Sequence, residues 1–447
     1  MLANAPFGPA VEALRERPAR RMIDRRFVFI DPTPNARFDL TDRNADRPSF
    51  LQTIIGALSE LPREQPIRYN LEAIAERSAR IERTRAIVAR IRDEVEAHVE
   101  ALFGYTLFLD YPTPKRLQGW RRRAQVAAAQ RAGYGHAAYG LLKVDGVIDR
   151  IARHLDHIAG GGQPDRLHLL RRAVTASVAA RGQNDFGPGH SAGASPATLE
   201  LLRCHDLGFR IRRLRWLARR VTEVDAEHVR AELTPMRDAV YASLAPYLDA
   251  QRADPFVEWR EPIRALAEGE DVGPLLDAIA ERMALKRLDT ETDERLSAAF
   301  SRLDRDLRRP VLLALLGFPF FDIATLPLLQ GEGLDEFDPI RVDRIAPDDA
   351  VAIRKGGAMA TLKGIQFNSF GAFFSRAYRE NDYLLGRLHG ADRLIDIVLS
   401  TLPDGGRIGP ERVATLKREA FHAILDEEEP RLTLIAGLFE QLRAEIG

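Results

Sequence analysis

Between Asn70 and Gly104 the residues Ile74, Ile81, Val88, Val95 and Leu102 fall one heptad apart, with Leu71, Ile91 and Val99 widening the seam. Apolar residues at that period share one face of a helix, and Asn70 is a good N-cap. A continuous helix there is on the order of 50 Å long at ~1.5 Å per residue. Its other faces carry Glu72, Glu76, Arg80, Glu82, Arg83, Arg90 and Asp93, so the stripe needs an equally long apolar partner. That partner is either the rest of this chain or a second copy in a dimeric coiled coil. Other long helical patterns are present and the heptads stop at Leu102, which favours an intramolecular bundle, with a homo-oligomer left as the alternative.

Helical periodicity continues over Trp120 to Ile158, over Thr198 to Ala250 as two helices joined near Asp225, through short helices from Asp254 to Arg308, and over Gly409 to Ile446. At 447 residues and 45% hydrophobic content the chain can bury a large core. Two segments break the pattern. Phe27 to Ile30 is an uninterrupted apolar run that reads as a buried strand, stopped by Asp31-Pro-Thr-Pro34, and its backbone requires a ladder from elsewhere. Ile340, Val342 and Ile345 alternate as a strand does; Ile353 to Ile365 reads as a second strand or a loop, and Val311 to Phe321 as a helix end or a strand.

Charge and cysteine content narrow the function. Lys plus Arg and Asp plus Glu both total 65, so no global field draws nucleic acid or an anionic membrane. The single cysteine, Cys204, excludes a disulfide framework and a cysteine metal cluster. No signal-peptide pattern opens the chain, and the Val311 to Phe321 run, interrupted by Gly317 and Pro319, is too short to span a bilayer. The expectation is a cytoplasmic protein without metal or cofactor, with peripheral membrane contact open.

Phe367 to Leu399 is the most distinctive stretch. Phe370, Phe373, Phe374 and Tyr378 recur at helical steps and predict an aromatic face seeking cover. Arg376, Arg379, Glu380, Asn381, Asp382 and Arg387 interrupt the apolar pattern. With a bend at Gly386 to Gly390, they predict two helices joined by a polar corner that is either a structural network or a ligand site.

Four other constellations suggest chemistry. The helix carrying Leu207, Ile211, Leu214, Leu217 and Val221 is surrounded by arginines, and Arg212, Arg215 and Arg219 are candidates for anionic-surface contact, of lipid headgroups before nucleic acid. Cys204 and His205 are adjacent, which points a thiol and an imidazole apart on a helix; His154 and His157 read as surface histidines. Gly189-His-Ser191-Ala-Gly193 spells the nucleophile-elbow motif, but Asn184 to Pro188 supply no strand before it, so Ser191 reads as a decoy and no catalytic residue is assigned.

Three blocks carry a resemblance: Arg376 to Asp396 (RAYRENDYLLGRLHGADRLID), Tyr139 to Ala152, and Arg344 to Ala350. They resemble the helical domain of unknown function that follows the catalytic domain in long bacterial patatin-like proteins, whose members carry an aromatic where Leu385 stands and an acid where His389 stands. Asn4-Ala5-Pro6, the helix Phe7 to Leu14 and Phe27 to Pro34 are similar to the tail of the patatin catalytic domain, whose Asp-Gly turn would fall before Met1. The resemblance implies a mainly α chain: residues 1–40 a truncated α/β remnant, residues 41–447 a large multi-helix bundle with a few short strands and a sub-boundary near 181–197. It implies the accessory region of a lipid acyl hydrolase, inactive alone because the serine elbow, oxyanion loop and Asp-Gly turn are missing, with the catalytic half as partner. The alternative is a non-catalytic helical protein that binds a partner or a membrane surface.

Overall fold

The structure, a computed structural model, describes residues 19–21, 23–31, 61–104, 111–187, 189–190, 192–228, 231–329, 340–366, 371–402 and 408–447. The segment with Asn4 to Pro6, Phe370 and Ser191 lie outside the described residues. The chain is mainly α. In order come β1 (Arg25–Ile30), α1 (Leu61–Phe103), α2 (Pro114–Ala132), α3 (Tyr134–Ile158), α4 (Pro164–Ala180), α5 (Pro196–His205) and α6 (Leu207–His228). There follow α7 (Thr234–Asp249), α8 (Arg260–Arg264), α9 (Gly273–Met283), α10 (Leu285–Phe300) and α11 (Arg305–Leu329). The last elements are β2 (Ile340–Ile345), α12 (Gly357–Thr361), α13 (Gly371–Phe374), α14 (Arg376–Leu399), α15 (Pro410–Glu428) and α16 (Ala436–Ile446). Two compact units result, one built on residues 79–337 with 11–23, the other joining residues 24–78 to 338–447.

In the larger unit, local signals set the helix starts. Thr113 accepts a hydrogen bond from the Arg116 amide ahead of Pro114, and Ser195 caps α5 through the Thr198 amide ahead of Pro196. Each supplies an acceptor to an N–H that the first turn leaves unpaired. Gly133 separates α2 from α3, so the Trp120 to Ile158 pattern is two helices. From Ile81 onward the heptad seam is buried within this chain, with Ile81, Val88, Val95 and Val99 in the core and Ile91 and Leu102 half-buried, while the side chains of Leu71 and Ile74 lie outside the described residues. α11 runs through Gly317, Pro319 and Pro327 without a break, where the sequence reading stops the apolar run. At Gly317 an added Cβ would lie 3.1 Å from Val95 Cγ1, so the glycine permits the close approach of α1. By length and composition α11 is sufficient to cross a membrane, but Val311 to Leu316 are each 2% exposed or less inside the core.

In the smaller unit, β1 and β2 form a parallel two-stranded sheet, with Phe27 opposite Val342 and Ile30 opposite Ile345. The strand that needed a ladder obtains it from a segment about 300 residues later, which no local pattern encodes. Asp31 N–H donates to Ile345 O at 3.0 Å. Backbone groups alternate sides along a parallel strand, so those of Phe27 and Phe29 also face β2 while those of Val28 and Ile30 face away from it. Among the described residues no strand lies on that side, and Val28 and Ile30 are 44% and 74% exposed. On β2 the outer carbonyl of Arg344 accepts from Arg393 Nε of α14. Ile353 to Ile365 is a loop with the short α12, not a strand. A core of Leu384, Leu385, Leu388, Phe421, Leu425, Phe439 and Leu442 packs α14 with α15 and α16.

Candidate functional site

The arginines of α6 divide by depth. Leu207 to Leu214 is buried on every side, so an arginine there must meet its counter-charge inside the protein. Arg212 is 7% exposed and donates Nε and Nη2 to the two oxygens of Asp322 at 2.8 and 3.0 Å; the Tyr139 hydroxyl adds a 2.6 Å bond to the same carboxylate. Arg210 grips Asp289 in the same bidentate way at 2.9 and 2.7 Å. Lys143 pairs with Asp206 at 3.1 Å, and Arg121 forks onto Asp293. Burial works against the ionised forms of Asp206 and Asp289, yet the facing cations hold both below the usual carboxylate range. The reading of Arg212 as an anionic-surface contact is therefore corrected, since its guanidinium is consumed by Asp322. Arg215 is half-buried and bonds the Ala19 carbonyl at 3.1 Å; Arg219 is half-buried and also engaged.

The polar stretch of α14 is similarly occupied. α14 is one helix with no bend at Gly386 to Gly390, because Leu384, Leu385 and Leu388 keep a continuous buried stripe that holds the glycines in register. The two-helix corner is thus corrected to a single helix whose polar side chains fasten neighbouring loops. Glu380, 5% exposed, accepts from Arg376 Nε at 2.9 Å and from the Leu434 amide at 2.9 Å. Asn381 donates to the Thr361 carbonyl at 3.1 Å, and Asp382 accepts the amides of Lys363 and Gly364, both at 2.7 Å. Arg387 reaches Glu427 at 2.9 Å and the buried Glu428, which also meets the Tyr383 hydroxyl. Here each named carboxylate is spent on positioning backbone or a cation, with no free base beside a nucleophile.

The aromatic face is the reverse of its expectation. Ser375 accepts from the Tyr378 amide and starts α14 afresh, so Phe373 and Phe374 stand on the separate single turn α13, each 76% exposed. Their rings meet edge to face with centroids 5.2 Å apart, and Arg379 Nη1 donates to the Phe373 carbonyl at 3.2 Å.

One cleft in the larger unit, of about 440 Å³, brings together Arg181, Glu200, Cys204, His205, Asp277 and Lys286. Its lining comes from α5, α9, α10 and the loop after α4, segments whose convergence leaves no signal in the sequence. The Arg181–Asp277 and Lys286–Glu200 pairs satisfy its walls. Burial pushes the Cys204 thiol up, with the nearby Glu200 adding to the effect, so the thiolate needed for nucleophilic chemistry is disfavoured. His205, 5% exposed, has no hydrogen-bond partner at Nδ1, and burial pulls it down to about 4. His154 is half-buried, pulled down to about 4 by burial and packed edge-on against Phe256 with Nε2 3.3 Å from the Arg252 carbonyl, while His157 is exposed as the sequence predicts. Among the described residues no His, Cys, Asp and Glu cluster is arranged to hold a metal.

Comparison with known proteins adds one finding. Residues 306–443, which include all but the first residue of α11 and all of β2 and α14, match a family model described as a protein of unknown function (DUF3376). No curated protein and no solved structure matches the chain.

Proposed function

We infer that this chain is the helical companion of a patatin-like lipid acyl hydrolase and that the outer edge of β1 is where the catalytic half continues its sheet. The observation that carries the reading is the parallel β1–β2 pair. Parallel strands occur almost only inside layered α/β sheets covered on both faces, and two strands alone are marginal in water. Among the described residues no strand lies beyond β1, so its outer row of backbone donors and acceptors stands beside Val28 and Ile30, which are both exposed. Such an edge is a template for strand addition. The resemblance of Phe27 to Pro34 to the end of a patatin catalytic domain names the partner: an α/β hydrolase whose serine and aspartate perform acyl transfer. In this reading the chain contributes no reacting group, and Ser191 takes no part.

Co-expression with a patatin-type catalytic half tests this. Co-purification and p-nitrophenyl acyl ester turnover are expected only when both are present. Val28→Pro removes an outward-facing N–H without breaking a β1–β2 bond and is expected to abolish co-purification while leaving the helical signal intact. Turnover by this chain alone, lost in Ser191→Ala, would overturn the reading.

A further inference from the structure

We propose that the α13 turn and the N-terminal end of α14 form an interfacial anchor for a bilayer rich in anionic phospholipid, with Phe373 and Phe374 as the inserting side chains. Single exposed apolar residues are ordinary, but two adjacent phenylalanines each 76% exposed leave most of both rings in water. The turn that carries them is held. The Phe373 carbonyl is engaged by Arg379, and the Ser375 hydroxyl caps α14. The rings touch each other, so little conformational freedom remains to be lost on insertion.

Charge around the turn is sorted by direction. Arg376, with 65% of its side chain exposed, Arg379 and Lys363 present cationic groups to solvent. The nearby acids face inward. Glu380 is buried beneath Arg376 and the Leu434 amide, and both oxygens of Asp382 are filled by the Lys363 and Gly364 amides. The Lys363 backbone is thereby fixed 2.7 Å from Asp382, one helical turn along from Arg379. The outward surface is thus two rings among three cations, the pattern by which apolar side chains enter the acyl boundary while Lys and Arg meet headgroup phosphates. A protein partner would be fixed in register by unsatisfied polar groups at defined positions. In this turn the Ser375 hydroxyl, the Phe373 carbonyl and both acids are already engaged, and Arg376 and Arg379 are each tethered through a donor while still exposed, so the outward surface is two rings bordered by positive charge, which suits a fluid anionic surface.

Vesicle co-sedimentation tests the anchor. The chain is expected to bind vesicles of equal parts phosphatidylcholine and phosphatidylglycerol far better than phosphatidylcholine alone, and less as salt rises. Phe373→Ser with Phe374→Ser is expected to lower the partition coefficient roughly tenfold or more with an unchanged unfolding curve. Lys363→Ala with Arg376→Ala is expected to lose roughly fivefold for each cation removed, on the anionic vesicles only. Phe374→Trp is expected to shift its emission to the blue on those vesicles. Failure of the wild-type chain to bind, or equal binding by the double serine variant, would overturn the proposal. So would loss of catalytic-half binding in that variant while vesicles bind neither form, which would make the rings a protein interface.

Discussion

Two arginine-dense helices, α6 in the larger unit and α14 in the smaller, use the same side chain in opposite ways. In α6 the cations at Arg210, Arg212 and Arg213 go inward, met by Asp289 and Asp322, and the acids stand on other helices. In α14 the acids Glu380 and Asp382 go inward, met by backbone amides, while Arg376 and Arg379 stay at the surface. The difference lies in what opposes each helix. α6 is packed between α7 and α11, so its middle cannot reach water. α14 faces loops whose unpaired N–H groups call for carboxylates. Arginine density therefore says little about anion binding until the opposing layer is known.

The most severe test of the inward half is Asp322→Ala. It removes the Asp322 carboxylate from the buried Arg212 and the acceptor from the Tyr139 hydroxyl, and is expected to cost about 3–5 kcal/mol in urea unfolding. If the loss stays within that of an ordinary surface change, Arg212 is not internally paired.

Acid comes next in size. His154 and His205 lie near 4 in the folded chain against about 6.5 when unfolded, in both cases because burial disfavours the cation. Between those values the unfolded chain binds the additional protons. Their contribution is thus complete above about pH 6.5 and falls away as pH drops toward 4, by up to roughly 3 kcal/mol for each histidine. His205→Phe should flatten this part of the pH profile of unfolding; an unaltered slope would contradict a buried neutral His205.

Smaller still is Arg387→Ala, expected to cost about 1–2 kcal/mol. The Glu428 carboxylate loses its main cation but keeps the Tyr383 hydroxyl and stays near Arg431. At the outward extreme, the Phe373→Ser and Phe374→Ser pair should leave unfolding within about 0.5 kcal/mol of wild type, since neither ring packs on the core. A larger loss would show that α13 packs more closely than its exposure indicates.

The legible parts of this molecule are those fixed by periodicity. Ile81, Val88, Val95 and Val99 are buried along α1 as their spacing predicts, and Ile340, Val342 and Ile345 lie on a strand. Pairing was not legible: Phe27 to Ile30 declares a strand but not that its ladder is β2. Gly386 and Gly390 suggested a bend because glycine weakens an isolated helix, whereas the Leu384, Leu385 and Leu388 contacts outweigh that weakness. Phe373 and Phe374 shared a helical period with Tyr378, but the Ser375 cap breaks the helix between them and cancels the phase. The inward role of Arg212 leaves no trace in the local sequence because Asp322 lies 110 residues away. The cleft at His205 is assembled from four segments, none of which carries a motif.

If the outer edge of β1 receives a strand from a patatin-type catalytic half, as proposed, amide hydrogen exchange at Val28 and Ile30 will register it. Both N–H groups should exchange quickly in the chain alone and become strongly protected when a patatin-type catalytic half is added, with Phe27 and Phe29 already protected in both. Unchanged fast exchange at Val28 and Ile30 in a complex that demonstrably forms would mean that β1 takes no added strand.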